Sequence, residues 1–232
     1  VIPMLPEALS NERCSLKPDV DRFTKCAELF VAKDGSVQRA RFYPAIIRSK
    51  RRYTYKSALQ ALQAPPKDRI DRMLHAANKM TQIVRSRRFK NGSLELDFPE
   101  SKIRLDDAGK VLRIDRLEND ISHQLVEELM LLANEAVATR LIELRRPTLH
   151  RVHEPPDERR LQEFRNEVVA RGVPCGNLNK RPEVQNLLRR LKDTPIGPAL
   201  RIGFLKSLMR ARYALEPLGH YGLCKEKYSH FT

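Results

Sequence analysis

Apolar residues along this chain change their period several times. From Ala27 to Ala32 and again from Val37 to Ile47 they alternate with polar ones, and Lys33-Asp34-Gly35-Ser36 stands between the two runs. An Asp-Gly pair supplies the positive-φ positions of a tight turn, so the pattern predicts a β-hairpin. A second alternation, Ser101–Asp106 and Lys110–Ile114, flanks Asp107-Ala108-Gly109 and predicts another. Ile70, Met73, Leu74, Ala77, Met80, Ile83 and Val84 recur at three and four, which predicts an amphipathic helix over 67–88 with a basic outer face. Ile121, Leu125, Leu129, Leu132, Ala136 and Leu141 predict the longest helix, over 119–144. Tyr53–Leu62 begins a helix that Pro65-Pro66 stops. Thr148–Val152 is short and β-like. After Glu154-Pro155-Pro156, Asp157 is placed to cap a helix marked by Leu161, Phe164, Val168 and Val169 and ended by Gly172. Pro182–Leu191 and Ala199–Tyr213 are further helices, and residues 1–22, punctuated by Pro3, Pro6 and Pro18, are irregular. Hairpins with helices mostly later define an α+β chain, β-hairpins or a mixed sheet packed with several amphipathic helices, rather than a βαβ series.

Charge narrows the function. The chain of 232 residues carries 44 Lys and Arg against 29 Asp and Glu, a formal charge of +15, and its pI is near 10.0. A surface that basic attracts polyanions. Nucleic acid is the commonest such partner, although an acidic membrane or an acidic protein also fits. Cys14, Cys26, Cys175 and Cys224 form no CxxC pair and no Cys/His set with zinc spacing, so reduced thiols are expected. No apolar run is long enough to span a bilayer and no charged leader precedes one, so no membrane partner and a cytoplasmic location are expected.

Candidate chemistry is sparse. Asp106-Asp107 resembles a metal-binding pair, but it sits in a predicted turn, where Asp is favoured for its own backbone hydrogen bonds. No metal ligand is assigned. Glu127 and Glu128 lie inside the longest apolar helix, and at about 100° per residue both cannot point away from the core. Either one is solvated and the other sits at a boundary, or one faces a polar cleft. Asn134, six residues after Glu128, is about 120° away on the wheel, so the helix alone does not place them on one stripe. A tether between elements is the simpler role for it. Tyr53-Thr54-Tyr55 follows Arg48, Lys50, Arg51 and Arg52, a combination that suits single-stranded RNA or a core tyrosine beside a solvated basic surface. Further basic clusters stand at 85–90, 140–151 and 206–212. His153, His220 and His230 are scattered, and no nucleophile–base triad or Gly-rich phosphate loop accompanies them.

Several blocks carry a resemblance. They are Val1-Ile2-Pro3-Met4-Leu5-Pro6 with Cys14-Ser15-Leu16 and Val20-Asp21-Arg22; Ile47–Tyr55; Leu125–Asn134; Arg151-Val152-His153-Glu154-Pro155-Pro156; His220-Tyr221-Gly222-Leu223; and Tyr228-Ser229-His230-Phe231-Thr232. In order and approximate spacing they resemble the RNB catalytic domain of the ribonuclease R / ribonuclease II family. The resemblance implies the central part of a single such domain over 1–232, truncated at both ends. It implies a hydrolytic 3′-to-5′ exoribonuclease that acts on single-stranded 3′ ends of RNA as a monomer and releases nucleoside 5′-monophosphates with Mg²⁺. The family's metal-binding aspartates precede the segment that opens this chain, and its catalytic arginine motif follows Thr232. No catalytic residue is therefore assigned here, and the isolated chain is expected to be inactive. What remains is an RNA-handling shell. Tyr55 matches a tyrosine that contacts the sugar, and Glu128 a glutamate that works with it on the 2′-hydroxyl. Asn134, His153 and His230 lie in matched motifs and complete the expected RNA-binding set. A base-clamping aromatic of the family aligns with Leu96, with Phe98 nearby. The alternative is a non-catalytic basic RNA-binding or interaction domain.

Overall fold

The computed structural model of the chain describes residues 5–96, 100–117 and 119–231. It is α+β, as the pattern predicted. Its elements run β1 (Asp21–Val31), β2 (Val37–Arg48), α1 (Tyr55–Gln63), α2 (Arg69–Lys90), β3 (Glu100–Leu105), β4 (Val111–Leu117), α3 (Ile121–Glu143), β5 (His150–Val152), α4 (Glu158–Ala170), α5 (Arg181–Lys192), α6 (Gly197–Ser207) and β6 (Arg212–Ala214). The strands assort into small antiparallel pairs, β1 with β2, β3 with β4 and β5 with β6. Two compact units divide the chain: Val1–Ile83 with Asp120–Leu129, and Val84–Asn119 with Met130–Thr232.

In the first unit β1 begins earlier than expected, at Asp21. Alternation does extend back to that residue, but with Phe23 outward and 89% exposed while Arg22 and Thr24 are half-buried. Side chains at successive positions point to opposite faces, so Phe23 meets Ile46 across the pair on the exposed face. Gly35 takes φ of 80° in the connecting turn, a value only glycine adopts without strain. Residues 8–13, read as irregular, form a single π-helical turn.

The core of the second unit is helical. Leu161, Phe164 and Val168 line one side of α4, and Val184, Leu187, Leu188 and Leu191 line α5; both pack with Leu200 and Phe204 of α6. Each helix starts where its sequence directs. The Asp157 side chain accepts the Arg160 N–H at 3.1 Å to cap α4, and Pro182 stands in the first turn of α5. Gly197 opens α6 because a Cβ there would fall 1.6 Å from the Leu191 carbonyl oxygen. The helix predicted over Ala199–Tyr213 is corrected at its end. It stops at Ser207, Leu208 turns to extended backbone, and Arg212–Ala214 pairs with His150–Val152. That strand pairing is non-local and overrides the helical period.

Phe204 is fully buried, with its ring 5.6 Å from that of Phe164. Phe204→Ala is expected to destabilise the fold by about 3–5 kcal/mol, the usual cost of emptying such a site. Urea unfolding followed by far-ultraviolet circular dichroism measures it; a loss below about 1 kcal/mol would mean the α4–α6 packing is not the core described.

Candidate RNA-handling site

In the first unit, a polar network fixes the segment that leads to Tyr55. Arg51 donates to the Tyr53 hydroxyl at 2.9 Å and to Asp71 at 3.1 Å, and it pairs with Asp68. Tyr53 in turn donates to Asp71 at 2.6 Å. The Tyr53 hydroxyl and the Lys67 N–H hold the buried Asp71 carboxyl below the usual carboxylate range. Thr54 then caps α1 reciprocally: Ser57 N–H donates to Thr54 Oγ1 at 3.1 Å, and Thr54 N–H to Ser57 Oγ at 2.9 Å. Tyr55 is thereby the first residue of α1, and its side chain is 48% exposed. The basic run before it is largely engaged, Arg48 with Asp21 and Lys50 with Asp19, besides Arg51. Exposed pairs of this kind are worth little, but they reduce the charge the run offers to a phosphate.

The opposing partner of Tyr55 comes from α3. The rings of Tyr55 and His123 stack with centroids 3.8 Å apart and planes 15° from parallel. Asp120, just before the helix, accepts from Ser122 N–H at 2.8 Å, from Ser122 Oγ at 2.6 Å and from His123 Nδ1 at 3.1 Å. Burial opposes ionisation of Asp120, but these hydrogen bonds outweigh it and its pKa lies below the ordinary value. Neither Asp120 nor His123 was singled out from the sequence. The cap position before an apolar period was the available signal for Asp120; nothing local marks the stack.

Glu128 is 1% exposed and shares the buried side of α3 with Ser122 and Leu125. The Glu128 carboxylate is thus closed to bulk solvent. Glu127, half-buried, lies four residues after His123 and about 40° from it on the wheel, whereas Glu128 lies about 140° away.

In the second unit, Asn134 is fully buried; its amide donates to the Tyr228 hydroxyl at 3.3 Å, and its oxygen accepts the Phe231 N–H at 3.0 Å. The geometry is that of a tether. His153 and His220 meet edge-on, 5.1 Å between centroids. His153 Nδ1 accepts the Gly222 N–H at 3.2 Å and His220 Nδ1 the Leu223 N–H at 3.3 Å, so both rings are neutral and carry their proton on Nε2. Burial lowers the His153 pKa, and burial together with His153 and Arg151 takes His220 down to about 4. His230 is exposed, between Ser229, which donates to the Leu149 carbonyl, and the pinned Phe231. Tyr55 and Glu128 therefore belong to one unit, and Asn134, His153 and His230 to the other. Leu96 packs against the helical core, and Phe98 lies outside the described residues.

Asp106 lies at the β3–β4 turn. Its carboxylate accepts from the N–H of Ala108 at 3.0 Å and of Lys110 at 2.8 Å, so it serves the turn. Among the described residues no three His, Cys, Asp or Glu side chains converge to hold a metal ion, and all four cysteines are free thiols. No helix among those residues is long and apolar enough to cross a membrane.

Comparison with known proteins gives this fold a family. The RNB domain model matches residues 1–232, and the chain belongs to the RNB domain family. It is similar to ribonuclease R of Vibrio cholerae, 34% identical over 100% of this chain and 29% of that protein, and to ribonuclease R of Thermotoga maritima, 35% identical over 100% and 34%. Among solved structures it resembles Mycoplasma genitalium RNase R in complex with ribose methylated single-stranded RNA. There the TM-score is 0.91 at 30% identity, covering 99% of this chain and 37% of that one. The chain thus spans about a third of the length of the relatives it matches.

The His220 geometry predicts a pH dependence. A folded pKa near 4 against an ordinary 6.5 means that the fold favours the neutral ring. Its contribution is complete above pH 6.5 and is lost as the pH falls toward 4. His220→Asn keeps an acceptor for the Leu223 N–H and does not titrate. Its unfolding free energy is expected to fall less steeply than that of the wild type between pH 6.5 and 4. Parallel slopes in urea titrations across that window would contradict a half-buried, neutral His220.

Proposed function

We propose that this chain is the RNA-handling part of a hydrolytic 3′-to-5′ exoribonuclease that degrades single-stranded RNA to nucleoside 5′-monophosphates. The observation that carries the proposal is the RNB match along all 232 residues, joined by likeness to an RNase R solved with single-stranded RNA. The formal charge of +15 supports the same class of partner. In this reading the intact enzyme is a cytoplasmic monomer that uses a divalent metal such as Mg²⁺. Among the described residues no three His, Cys, Asp or Glu side chains converge to hold it.

What this chain does is bind and select. The half-exposed Tyr55 presents its ring to the sugar of the entering strand. Glu128 accepts the hydrogen of the 2′-hydroxyl from a desolvated position, where a charge-assisted hydrogen bond is worth about 1.5–3 kcal/mol. DNA has no such donor. Asn134 and His153 act as positioning residues, holding the backbone of 219–231 at Phe231 and Gly222. The exposed His230, which that segment carries, touches the strand.

The test compares the wild type with Tyr55→Ala, Glu128→Gln and the double variant. Binding of a fluorescein-labelled oligoadenylate and of its 2′-deoxy counterpart is followed by anisotropy. The preference for RNA is expected to narrow roughly ten-fold or more in the double variant, the size of one charge-assisted hydrogen bond. An unchanged ratio of the two dissociation constants, in a variant that melts like the wild type, would refute the assignment of these two residues.

A further inference from the structure

We infer that His123, anchored by Asp120, is a positioning residue that presets the Tyr55 ring for RNA. The inference rests on the reading of Tyr55 as an RNA contact and extends it to residues that no part of that reading used. Its ground is geometric. Tyr55 stands at the first position of α1, and it is half-exposed. Left alone, it would sample several rotamers, and binding would have to fix one of them. The His123 imidazole lies flat against it, 3.8 Å between centroids and 15° between planes, a stacked arrangement rather than an incidental edge contact.

His123 is itself held. Its Nδ1–H donates to Asp120 Oδ1 at 3.1 Å, and the same carboxylate oxygen accepts the Ser122 N–H and hydroxyl at the start of α3. The carboxylate therefore fixes both the helix start and the orientation of the imidazole. A ring docked on that imidazole has one face covered. With that face covered, the residue as a whole is still 48% exposed. A ribose or base arriving there meets a ring already in place, so less ordering accompanies binding. The arrangement is a three-part support: Asp120 sets His123, His123 sets Tyr55, and Tyr55 meets the strand.

The test uses the full chain, with binding of the labelled oligoadenylate and its 2′-deoxy counterpart read by anisotropy and folding read by thermal melting. His123→Ala is expected to weaken RNA binding roughly three- to ten-fold, the range of an aromatic pair, and to add nothing when combined with Tyr55→Ala. His123→Phe, which restores a flat ring, is expected to recover most of the loss. In the free protein the His123 imidazole C–H resonances should be shifted upfield by the Tyr55 ring, and Tyr55→Leu should abolish the shift. If Tyr55→Ala weakens RNA binding but His123→Ala does not, the positioning role is overturned while the reading of Tyr55 stands. If Tyr55→Ala itself has no effect, both fall. A His123→Ala variant that melts early and loses RNA and DNA binding equally, without rescue by Phe, shows a merely structural residue and overturns the inference.

Discussion

A polar group withdrawn from water must find a partner inside the fold, and helix α3 is built under that constraint. Along its length it buries Ser122, Glu128 and Asn134. Left unsatisfied, each would cost on the order of 1–3 kcal/mol, and an unpaired carboxylate more. The surrounding chain is arranged to prevent this. Asp120 takes the Ser122 hydroxyl at the helix start, and Asn134 ties the Tyr228 hydroxyl and the Phe231 backbone. The groups that fix the helix are the same ones that place the residues proposed to handle RNA. Tyr55 is stacked by a histidine from the first turn of α3, and His230 is carried on the segment that Asn134 holds.

The second device is the use of neutral histidine as a backbone acceptor. His153 and His220 take the N–H groups of Gly222 and Leu223, in a segment also fixed by Arg181 through the carbonyls of Gly92 and Tyr221. A glycine at 222 belongs to this arrangement, since a Cβ there would stand 3.1 Å from His153 Nδ1. These contacts are bought with burial, which keeps the rings uncharged. Both rings thus serve the backbone of this segment as acceptors. Shape and polar satisfaction, rather than exposed charge, organise this end of the chain.

Much of this was legible in the sequence, and the reasons for the failures are physical. Asp34-Gly35 and Asp107-Ala108-Gly109 marked both hairpins because turns depend on local backbone preferences. The three-and-four period gave α2, α3, α4 and α5 nearly to their ends because it records a buried stripe. The end of α6 was misread, since β6 exists only through pairing with β5, some sixty residues earlier in the chain. The early start of β1 was missed because Phe23 faces outward, against the usual sense of the alternation. At the candidate site, Tyr55 was singled out by its family motif, because its basic neighbours fit a core tyrosine equally well. The His123 stack was invisible, because its two rings come from α1 and α3 and no spacing rule connects them. Glu128 was singled out by motif alone, and it is 1% exposed.

The central claim is that the Tyr55 side of this chain meets the sugar of an RNA strand. It is tested most directly by photo-crosslinking the chain to an oligoribonucleotide carrying a single 3′-terminal 4-thiouridine, with the modified peptides sequenced by mass spectrometry. The account predicts crosslinks concentrated on Tyr55 and the opening turn of α1, competed by unlabelled RNA and far less by DNA of the same sequence. Crosslinks spread over the basic faces of α4 and α5, competed equally by RNA and DNA, would contradict it.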